Sequence, residues 1–403
     1  MEFEVVKLGN LCTSHNKKRI PVSKIERQKL NKIYPYYGAQ GIIDHIDDYI
    51  FDGIYLLVAE DGANLIDRKE NIANIAKGKF WVNNHAHILG FDNLEDLYYI
   101  YYYLNFIDVS AYITGSAQPK LNSKNIMEIK IKWPVDNVRC KIVKILKSLD
   151  SKIEINNKII ENLEAQAQAI FKSWFVDFEP FQDRNFVESE LGLIPEGWEV
   201  GKLGKSKLGK IIGSGIDEFN DEKIYLATAD VSDTSINNIS TKVTFDDRPS
   251  RANMQPKPLS VWFAKMKDSR KLIFVDPTDK EIINKMIFST GFAGIQANEN
   301  SFTYLWSYLL SNDFDKIKNS YAMGTTMQAI NNKNINNILL AIPIDSILKE
   351  FSTITKPMIE IISNLRNQNE KLAQTRDTLL PKLMNGEIDV SNIKIDDEDI
   401  DYE

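Results

Sequence analysis

An internal duplication constrains this chain more than any other feature of its sequence. Residues 115–175 align with residues 324–384 without a gap, at an offset of 209 residues. Ungapped agreement over such a length indicates a repeated structural unit, and a functional interpretation must explain why the unit is repeated. The alignment pairs the following runs: Gly115-Ser116 with Gly324-Thr325, Lys124-Asn125-Ile126 with Lys333-Asn334-Ile335, and Pro134-Val135-Asp136 with Pro343-Ile344-Asp345.

A second, shorter match marks where the later copy begins. The pattern Glu199-Val200-x-Lys202-Leu203-Gly204 repeats Glu4-Val5-x-Lys7-Leu8-Gly9 at an offset of 195 residues. The two ends of the repeated unit therefore agree, whereas the segments between them differ in sequence and in length. We expect two similar α/β domains that carry different inserts.

Each copy ends in a long run with a helical apolar pattern. Asp136 and Asp345 follow the shared proline and stand where a helix N-cap is expected. The apolar residues behind them alternate steps of four and three, a 3.5-residue period that is typical of coiled coils. The two stripes are Ile142, Leu146, Leu149, Ile153, Asn156, Ile160, Leu163, Ala167, Ile170 and Trp174, and Phe351, Thr355, Met358, Ile362, Leu365, Asn369, Leu372, Arg376, Leu379 and Leu383.

We expect the first of these helices to be uninterrupted only over residues 150–177. At about 1.5 Å per residue this segment would be about 42 Å long. Pro357 is expected to break or kink the second helix, because proline lacks the backbone donor. Ser148 is the residue that aligns with Pro357, and it is expected to cap the start of a second helical segment in the first copy.

The stripes allow the two helices to pair antiparallel about a two-fold axis. Asn156 would then face Asn369 inside an otherwise apolar seam and would fix its register. In the alternative, both asparagines face solvent. The predicted seam consists of Ile153, Asn156, Ile160, Leu163, Ile362, Leu365, Asn369 and Leu372.

The pattern also predicts several elements within the domains. Residues 54–59 are expected to form a buried strand that enters the polar loop 60–64, and residues 126–131 a strand that closes the first domain. Residues 94–104 form a tyrosine-rich helix, for which packing between helix and sheet is favoured over stacking on bases. The residues after Pro180 resemble a linker.

Composition excludes several classes of protein. A length of 403 residues with 43% hydrophobic content predicts two or three globular domains. No apolar run reaches the roughly 18 residues that a membrane-spanning helix needs, and the N-terminal residues lack the pattern of a signal peptide. The two cysteines, Cys12 and Cys140, favour a reducing cytoplasm and exclude a cysteine-based zinc site.

The sequence contains none of the common catalytic motifs. It has no amino-methyltransferase motif of the NPPY or DPPY type, no Walker A loop, no HExxH and no GxSxG. His85-x-His87 has no third ligand nearby in sequence, so packing or polar contacts are favoured over a metal site. We therefore expect a chain that is not an enzyme by itself and binds no metal or cofactor of its own.

The charge of the chain is unevenly distributed. The net charge is −7, and residues 386–403 account for all of it with eight acidic residues and one lysine. Residues 17–32 and residues 248–271 each carry seven basic residues and one acid. Such windows suit contacts with DNA phosphates and guanine edges, with ordinary solvated loops as the alternative. The candidate DNA-binding residues are Lys17, Lys18, Arg19, Lys24, Arg27, Arg248, Arg251, Lys265, Lys267, Arg270 and Lys271.

Three stretches of the chain carry a resemblance to a known family. They are Leu149-Asp150-x-Lys152 through Trp174-Phe175-Val176-Asp177-Phe178, Ile194-Pro195-x-Gly197-Trp198, and Arg376-Asp377-x-Leu379-Leu380-Pro381 through Gly386-Glu387-Ile388. They resemble, in that order, the central conserved region, the entry to the second target-recognition domain and the distal conserved region of the DNA specificity subunit of type I restriction–modification enzymes. The resemblance covers residues 1–390, and the acidic tail is not part of it.

The resemblance implies an architecture and a function. Two similar α/β target-recognition domains would be separated by an antiparallel pair of long coiled-coil helices, in a pseudo-two-fold internal repeat. Each domain would read one half of a bipartite target in double-stranded DNA, and the helices would set the spacer and dock two adenine methyltransferase subunits. Motor–endonuclease subunits would join the complex in the prokaryotic cytoplasm. S-adenosylmethionine, ATP and magnesium would be bound by these partners, and this chain would be non-catalytic.

The expected domain boundaries follow from the repeat. A coiled-coil protein-interaction scaffold without DNA specificity is the alternative function, and it would not require a basic window in both domains. The expected segments are residues 1–135 as the first target-recognition domain, 136–180 as the central helical region, 181–343 as the second domain, 344–390 as the distal helical region, and 391–403 as a disordered acidic tail.

Overall fold

The computed structural model describes residues 2–115, 118–325 and 327–394. Its contacts divide the chain into two compact units: unit 1 is Met1–Glu154 with Asn369–Glu403, and unit 2 is Ile155–Gln368. Each unit therefore combines one predicted domain with parts of both helical regions. Most of the predicted acidic tail lies outside the described residues. Within the described ranges, no helix has both the length and the apolarity to cross a lipid bilayer.

Unit 1 is built on a six-stranded sheet with the strand order β2-β7-β5-β6-β3-β4, and β1 pairs antiparallel with β8. One-turn 3-10 helices lie at Leu8–Asn10, Asn16–Lys18 and Ser110–Tyr112. The other described elements of this domain are β1 (Phe3–Lys7), β2 (Thr13–Ser14), α1 (Lys24–Arg27), β3 (Tyr34–Gly38), β4 (Gly41–Ile46), β5 (Phe51–Ala59), α2 (Asn64–Asp67), β6 (Ala73–Val82), β7 (Ala86–Gly90), α3 (Leu94–Phe106), α4 (Ser123–Met127) and β8 (Lys130–Pro134).

Helix α5 (Asp136–Phe175) leads from unit 1 into unit 2, where a seven-stranded sheet has the order β20-β19-β22-β13-β12-β11-β23. The strands are β9 (Phe186–Ser189), β10 (Gly192–Pro195), β11 (Glu199–Lys202), β12 (Lys205–Ser206), β13 (Gly209–Ile211), β14 (Lys223–Leu226), β15 (Val231–Ser232), β16 (Ser235–Ile236), β17 (Lys242–Val243), β18 (Ala252–Met254), β19 (Ser260–Ala264), β20 (Leu272–Val275), β21 (Met286–Ser289), β22 (Phe292–Ala297) and β23 (Leu339–Ile342). The helices are α6 (Lys280–Lys285), α7 (Phe302–Leu310), α8 (Asn312–Ser320), α9 (Asn332–Ile335) and α10 (Asp345–Met384), with 3-10 turns at Glu179–Phe181 and Thr228–Asp230.

The two domains share their strand pairing down to the register. Glu4 of β1 lies opposite Trp133 of β8, and Glu199 of β11 lies opposite Ile342 of β23. These pairs obey the offsets of 195 and 209 residues that the sequence shows. The four-strand order β2-β7-β5-β6 corresponds to β13-β22-β19-β20. The predicted α/β class with an internal repeat is thereby confirmed.

The tyrosine-rich helix packs between sheet and core as predicted. Tyr99 of α3 is fully buried, and its hydroxyl donates a hydrogen bond of 2.6 Å to the carbonyl of Lys132. Tyr304 of α7 is buried as well and makes the equivalent 2.6 Å bond to the carbonyl of Ala341. Burial raises the pKa of both phenols, so each hydroxyl stays protonated as a donor. The two helices therefore occupy the same place in the two domains.

Two elements within the domains differ from expectation. The predicted closing strand is present as β8, but its predicted bounds, residues 126–131, are wrong, because α4, capped by Asn122, occupies residues up to Met127 and the strand begins only at Lys130. The segment after Pro180 is not a linker, because β9 and β10 form an antiparallel hairpin there. Asparagine N-caps and short hairpins give weak signals against an apolar run, and this explains both errors.

Both long helices are continuous over 40 residues, which corresponds to about 60 Å each. The predicted interruptions at Pro357 and Ser148 are wrong. Pro357 is exposed, while Phe351, Thr355 and Ile359 around it are buried. Burial of these flanking side chains outweighs the one hydrogen bond that proline removes.

The apolar stripes face inward, as their period predicts. Every stripe position is buried or half-buried, whereas Ile155, Ile159, Ile354 and Ile361 on other faces are 40–51% exposed. Each unit takes its own share of the stripes into its core. Unit 1 includes Val138, Ile142, Val143, Leu146, Leu383 and Met384 in its core, and unit 2 includes Ile160, Phe171, Phe175, Ile347, Leu348, Phe351, Ile359 and Ile362.

Within each unit the two helices run antiparallel. In unit 2, Asn156 donates a 2.8 Å hydrogen bond to Gln368, and the Phe175 ring lies 4.9 Å from that of Phe351. In unit 1, Arg376 pairs with Asp150 at 2.7 Å. The fully buried Asn156 thus meets a polar side chain in the seam, and that side chain precedes Asn369 by one residue. The predicted contact between Asn156 and Asn369 stays a prediction.

Phe351 is the residue whose truncation should weaken unit 2 most selectively. It is fully buried, and its ring lies 4.9–6.4 Å from those of Phe171, Trp174 and Phe175. We expect Phe351→Ala to lower the free energy of unfolding of unit 2 by about 3–5 kcal/mol. Ile354→Ala, on an exposed face of the same helix, should change it by about 0.5 kcal/mol or less. Hydrogen exchange of α7 and β19 amides measures both, and equal losses would contradict the assigned core.

Candidate nucleic-acid interface

A short loop closes on itself at the same place in both domains. We define glycine loop 1 as residues 114–120 and glycine loop 2 as residues 323–329. Thr114 and Lys120 exchange two backbone hydrogen bonds of 2.8 Å, and Met323 and Ala329 exchange two of 3.0 Å. Both loops are thereby held by one antiparallel bridge at their base.

The glycine that the alignment pairs is required by the loop. Gly115 has φ +89° and Gly324 has φ +127°, in a region that favours glycine. A Cβ atom at Gly115 would lie 2.5 Å from the carbonyl oxygen of Gln118, and one at Gly324 would lie 2.5 Å from that of Met327. Gly115 and Gly324 therefore occupy backbone positions where a side chain would be strained.

Each glycine loop is also fixed by the short helix that follows it. The side-chain amide of Asn125 in α4 donates a 2.8 Å hydrogen bond to the carbonyl of Tyr112, just before loop 1. Asn334 in α9 makes the equivalent 3.0 Å bond to the carbonyl of Tyr321. The repeated Lys-Asn-Ile motif thus has a structural role, because its asparagine fixes the entry to the loop.

Both loops lie against the end of a central strand. Beyond β5, the carbonyl of Glu60 accepts a 2.8 Å hydrogen bond from Leu121, and Asp61 pairs with Lys120. Beyond β19, the carbonyl of Lys265 accepts a 2.9 Å bond from Ile330, and Met266 pairs with Ala329. Residues 60 and 61 are therefore the structural equivalents of residues 265 and 266.

The sequence comparison missed this equivalence because the offset changes within the domain. The offset is 205 residues at the strand ends and at the buried tyrosines of α3 and α7. At the glycine loops it is 209 residues. An ungapped comparison cannot follow such a change. A gapped alignment anchored on Tyr99 and Tyr304 could have found it.

The equivalent positions carry opposite chemistry in the two domains. We call the three residues joined across each loop base the cross-strand row. Row 1 is Asp61, Lys120 and Thr114, and it is polar throughout. Row 2 is Met266, Ala329 and Met323, and it is apolar throughout. One backbone frame thus presents two different surfaces.

In domain 1 the strand end is surrounded by paired charges. Glu60 is 2.6 Å from Arg19 and 3.2 Å from Lys120. Burial alone would raise the pKa of Glu60, but the hydrogen bonds from Arg19 and Lys120 hold it below its usual value. Arg19 also donates to the carbonyls of Asn84 and Ala86. These contacts fix the strand end and make Arg19 part of the scaffold.

The two histidines of His85-x-His87 have separate roles. His87 is fully buried, with Nε2 2.6 Å from the carbonyl oxygen of Leu121 and Nδ1 2.9 Å from the amide nitrogen of Asn16. A neutral ring with hydrogen on Nε2 satisfies both contacts, and burial lowers the pKa of this histidine accordingly. His85 is half exposed, and its Nδ1 lies 2.8 Å from Asp61. Among the described residues, no group of histidine, cysteine and acidic side chains is arranged to hold a metal ion.

In domain 2 the lysine at the strand end is turned into the protein. Lys265 donates to the carbonyl of Thr290 at 3.1 Å, and burial lowers the pKa of its ammonium group. Arg270 pairs with Asp233 at 2.8 Å and with Asp315 at 2.6 Å. The basic window of domain 2 is therefore partly structural, as in domain 1.

The structure thus divides the predicted DNA-binding residues into two groups. The half-buried group includes Arg27, which pairs with Asp44 at 2.9 Å, and Arg248, which lies 4.1 Å from the Phe245 ring. Its members with partners inside the protein are Arg19, Arg27, Arg248, Lys265, Arg270 and Lys271. Lys267 is half-buried, and the exposed members are Lys17, Lys18, Lys24 and Arg251.

Three of the exposed basic residues lie beside the strand ends. Lys17 and Lys18 follow Asn16, whose amide contacts both His87 and Ser123 at the start of α4. In domain 2, the carbonyl of Arg251 accepts a 2.8 Å hydrogen bond from Thr290, the residue that also accepts from Lys265. In each domain, exposed basic residues are therefore linked through Asn16 or Thr290 to residues at the strand end.

Comparison with known proteins gives one consistent family. Residues 1–165 match the family described as the type I restriction modification DNA specificity domain. The chain is 30% identical to the specificity subunit of the type I restriction enzyme MjaIX of Methanocaldococcus jannaschii over 312 residues, covering 73% of this chain and 70% of that one. It is 22% identical over 333 residues to the specificity subunit of the type I restriction enzyme HindI of Haemophilus influenzae, covering 67% and 71%.

A solved structure agrees at the level of the fold. The S subunit of a type I restriction–modification system from M. genitalium superimposes with a TM-score of 0.54 at 15% identity, covering 95% of this chain and 96% of that one. At such low identity the likeness concerns the fold alone.

Arg19 and Lys17 should respond differently to truncation. Arg19→Ala removes a cationic partner of the Glu60 carboxylate, at a site where the side chains of Arg19 and Glu60 are at most 15% exposed. We expect it to lower the free energy of unfolding of domain 1 by about 3 kcal/mol. Lys17→Ala, at an exposed position, should change it by about 0.5 kcal/mol or less. Hydrogen exchange of β5 and β7 is the measurement, and unchanged protection in Arg19→Ala would refute its scaffold role.

Proposed function

Because the chain belongs to the family of DNA specificity subunits of type I restriction–modification enzymes, we propose that each of its domains reads one half of a bipartite target in double-stranded DNA. The observation that carries this proposal is the pair of cross-strand rows. They lie on the same backbone frame, at the same strand end and against the same kind of glycine loop, yet differ in every side chain. Two unlike readers on one frame are what a target with two unlike halves requires.

The exposed basic residues supply the attraction to the DNA backbone. Lys17, Lys18 and Lys24 in domain 1 and Arg251 in domain 2 are exposed. In this proposal they contact phosphates, which position a protein on the duplex without specifying sequence. The side chains of the cross-strand rows then contact base edges. Arg19, Arg27 and Arg270 support this surface from within.

The long helices fix the spacing between the two half-sites. Each helix contributes side chains to the cores of both units, which supports the helices, and not a loop, as the spacer. Helices of about 60 Å exceed one turn of DNA, about 34–36 Å, so half-sites more than one turn apart are within their reach.

The same helices dock the partner subunits. Two adenine methyltransferase subunits bind along them, and motor–endonuclease subunits complete the assembly in the prokaryotic cytoplasm. Those partners carry the catalytic groups together with S-adenosylmethionine, ATP and magnesium. This chain contributes sequence recognition and no chemistry of its own.

Deletion of this chain should abolish one split methylation motif. We expect single-molecule sequencing of DNA from cells that carry the chain and its methyltransferase partner to show adenine methylation at a bipartite motif. The motif should disappear when the chain is deleted and return when it is restored. Methylation that persists without the chain would overturn the proposal and leave an interaction scaffold as its function.

Exchange of one insert should change one half of that motif. Replacing residues 205–323 by the corresponding insert of another specificity subunit keeps β11, β23 and both long helices. We expect the half-site read by domain 2 to change while the other half and the spacer stay the same. The control is the reciprocal exchange in domain 1, which should alter the other half alone. A change in both halves after a single exchange would contradict independent reading by the two domains.

A further inference from the structure

Domain 2 exposes methionine side chains at its glycine loop. Met266 is 44% exposed, and Met323 and Met327 are each 64% exposed. Large apolar side chains that cluster on a surface indicate a binding site more often than scattered ones do. All three lie in or against glycine loop 2, so they belong to one small region of the domain.

The backbone pairing places two of these methionines on one face. Ala329 is opposite Met323, with which it exchanges both hydrogen bonds, and Met266 is opposite Ala329 on its other side. Directly opposed residues of an antiparallel pair project to the same face, with Cβ atoms about 4.5–5.5 Å apart. Row 2 is therefore one continuous apolar strip. The amide of Asn334 contacts the sulfur of Met323 at 3.3 Å.

Folding does not require this strip to be apolar. The same backbone positions in domain 1 carry Asp61, Lys120 and Thr114, and the loop closes there with the same hydrogen bonds. The methionines also remain substantially exposed, so they contribute little to the core of unit 2. Their apolar character is a property of the surface that domain 2 presents.

The strip lies in a positively charged setting. Lys267 follows Met266 in the chain, the exposed Arg251 is joined to the same strand end through Thr290, and Asp268 is the acid beside them, while Lys265 is turned inward. This setting suits a ligand that is an anion and also offers a small apolar group. Duplex DNA offers one in its major groove, the 5-methyl group of thymine.

We propose that row 2 reads thymine 5-methyl groups in the half-site of domain 2, with Met266 and Met323 as the specificity-determining residues. Both side chains are long and flexible, and a methionine sulfur is polarizable, so the strip adapts to a methyl group at the floor of the groove. Row 1, being polar, has no equivalent preference. This inference rests on the proposed function, because it assigns chemistry to one half of the bipartite target.

The test removes one methyl group at a time from the DNA. The half-sites are first taken from the methylation map, and each thymidine of the target duplex is then replaced singly by deoxyuridine, which keeps base pairing intact. Binding is measured with the complex of this chain and its methyltransferase subunits. We expect the Kd to rise about fourfold for a contacted methyl group in the domain 2 half-site. Replacements in the domain 1 half-site serve as the matched control and should leave the Kd unchanged.

Variants of row 2 assign the effect to the proposed residues. Met266→Ala and Met323→Ala should bind thymidine and deoxyuridine duplexes with equal affinity at the contacted position. Met266→Leu and Met323→Leu keep an apolar contact and should retain the difference. Met327→Ala, in the same loop but outside the row, is the control variant and should also retain it.

Several outcomes would overturn the inference. They are a domain 2 half-site without any A·T pair, deoxyuridine duplexes that bind as well as thymidine ones, and a fourfold difference that survives in both alanine variants. If the alanine variants weaken all duplexes equally, the row contacts DNA in another way, such as insertion between base steps, and methyl reading is wrong. A complex that binds no DNA sequence in preference would instead refute the proposed function, so the two failures are distinguishable.

Discussion

The structure depends on two long amphipathic helices, each of which buries apolar side chains in the cores of both units. A helix gains most of its stability in water from packing of its apolar face, and neither stripe finds a complete partner within one domain. The early part of α5 and the late part of α10 enter the core of unit 1, and the remaining parts enter the core of unit 2. Aromatic rings pack around Phe351, and α10 continues through Pro357 without a break because this burial stabilises it.

The strand ends and glycine loops of both domains are held by the same backbone hydrogen bonds. Three features recur in both domains. They are the bridge at the loop base, the hydrogen bond from an asparagine side chain to a carbonyl before the loop, and the hydrogen bond accepted by the carbonyl of residue 60 or 265. Only the glycines and the asparagines are required by this frame. The rows therefore carry polar side chains in one domain and apolar side chains in the other on the same backbone frame.

The sequence predicts the frame better than the surface it carries. The repeat, the helical stripes, the strand at β5 and the packing of the α3 tyrosines follow from periodicity and from ungapped matches. The predicted interruption at Pro357 is wrong because burial of the neighbouring side chains outweighs the low helix propensity of proline. The predicted linker after Pro180 is wrong because a hairpin strand of four residues has almost no periodic signal.

Charge counting alone could not separate the half-buried from the exposed members of each basic window. Arg19 and Lys18 are adjacent in sequence, yet one is paired with Glu60 and two carbonyls inside the protein and the other is exposed. Such a difference depends on contacts with β5 and β7 that lie far away along the chain. The rows were out of reach for a similar reason, because their members come together only when the strand end and the loop meet.

The way the two units are threaded affects the order in which they form during synthesis. Unit 2 is one continuous stretch, Ile155–Gln368, and it can fold once that stretch has left the ribosome. Unit 1 must wait, because its core includes Leu383, Met384 and Val390, and the ring of Phe3 lies against Gly386. The part translated first is therefore the part completed last, and the nascent first domain keeps an open apolar face until the final helix arrives to cover it.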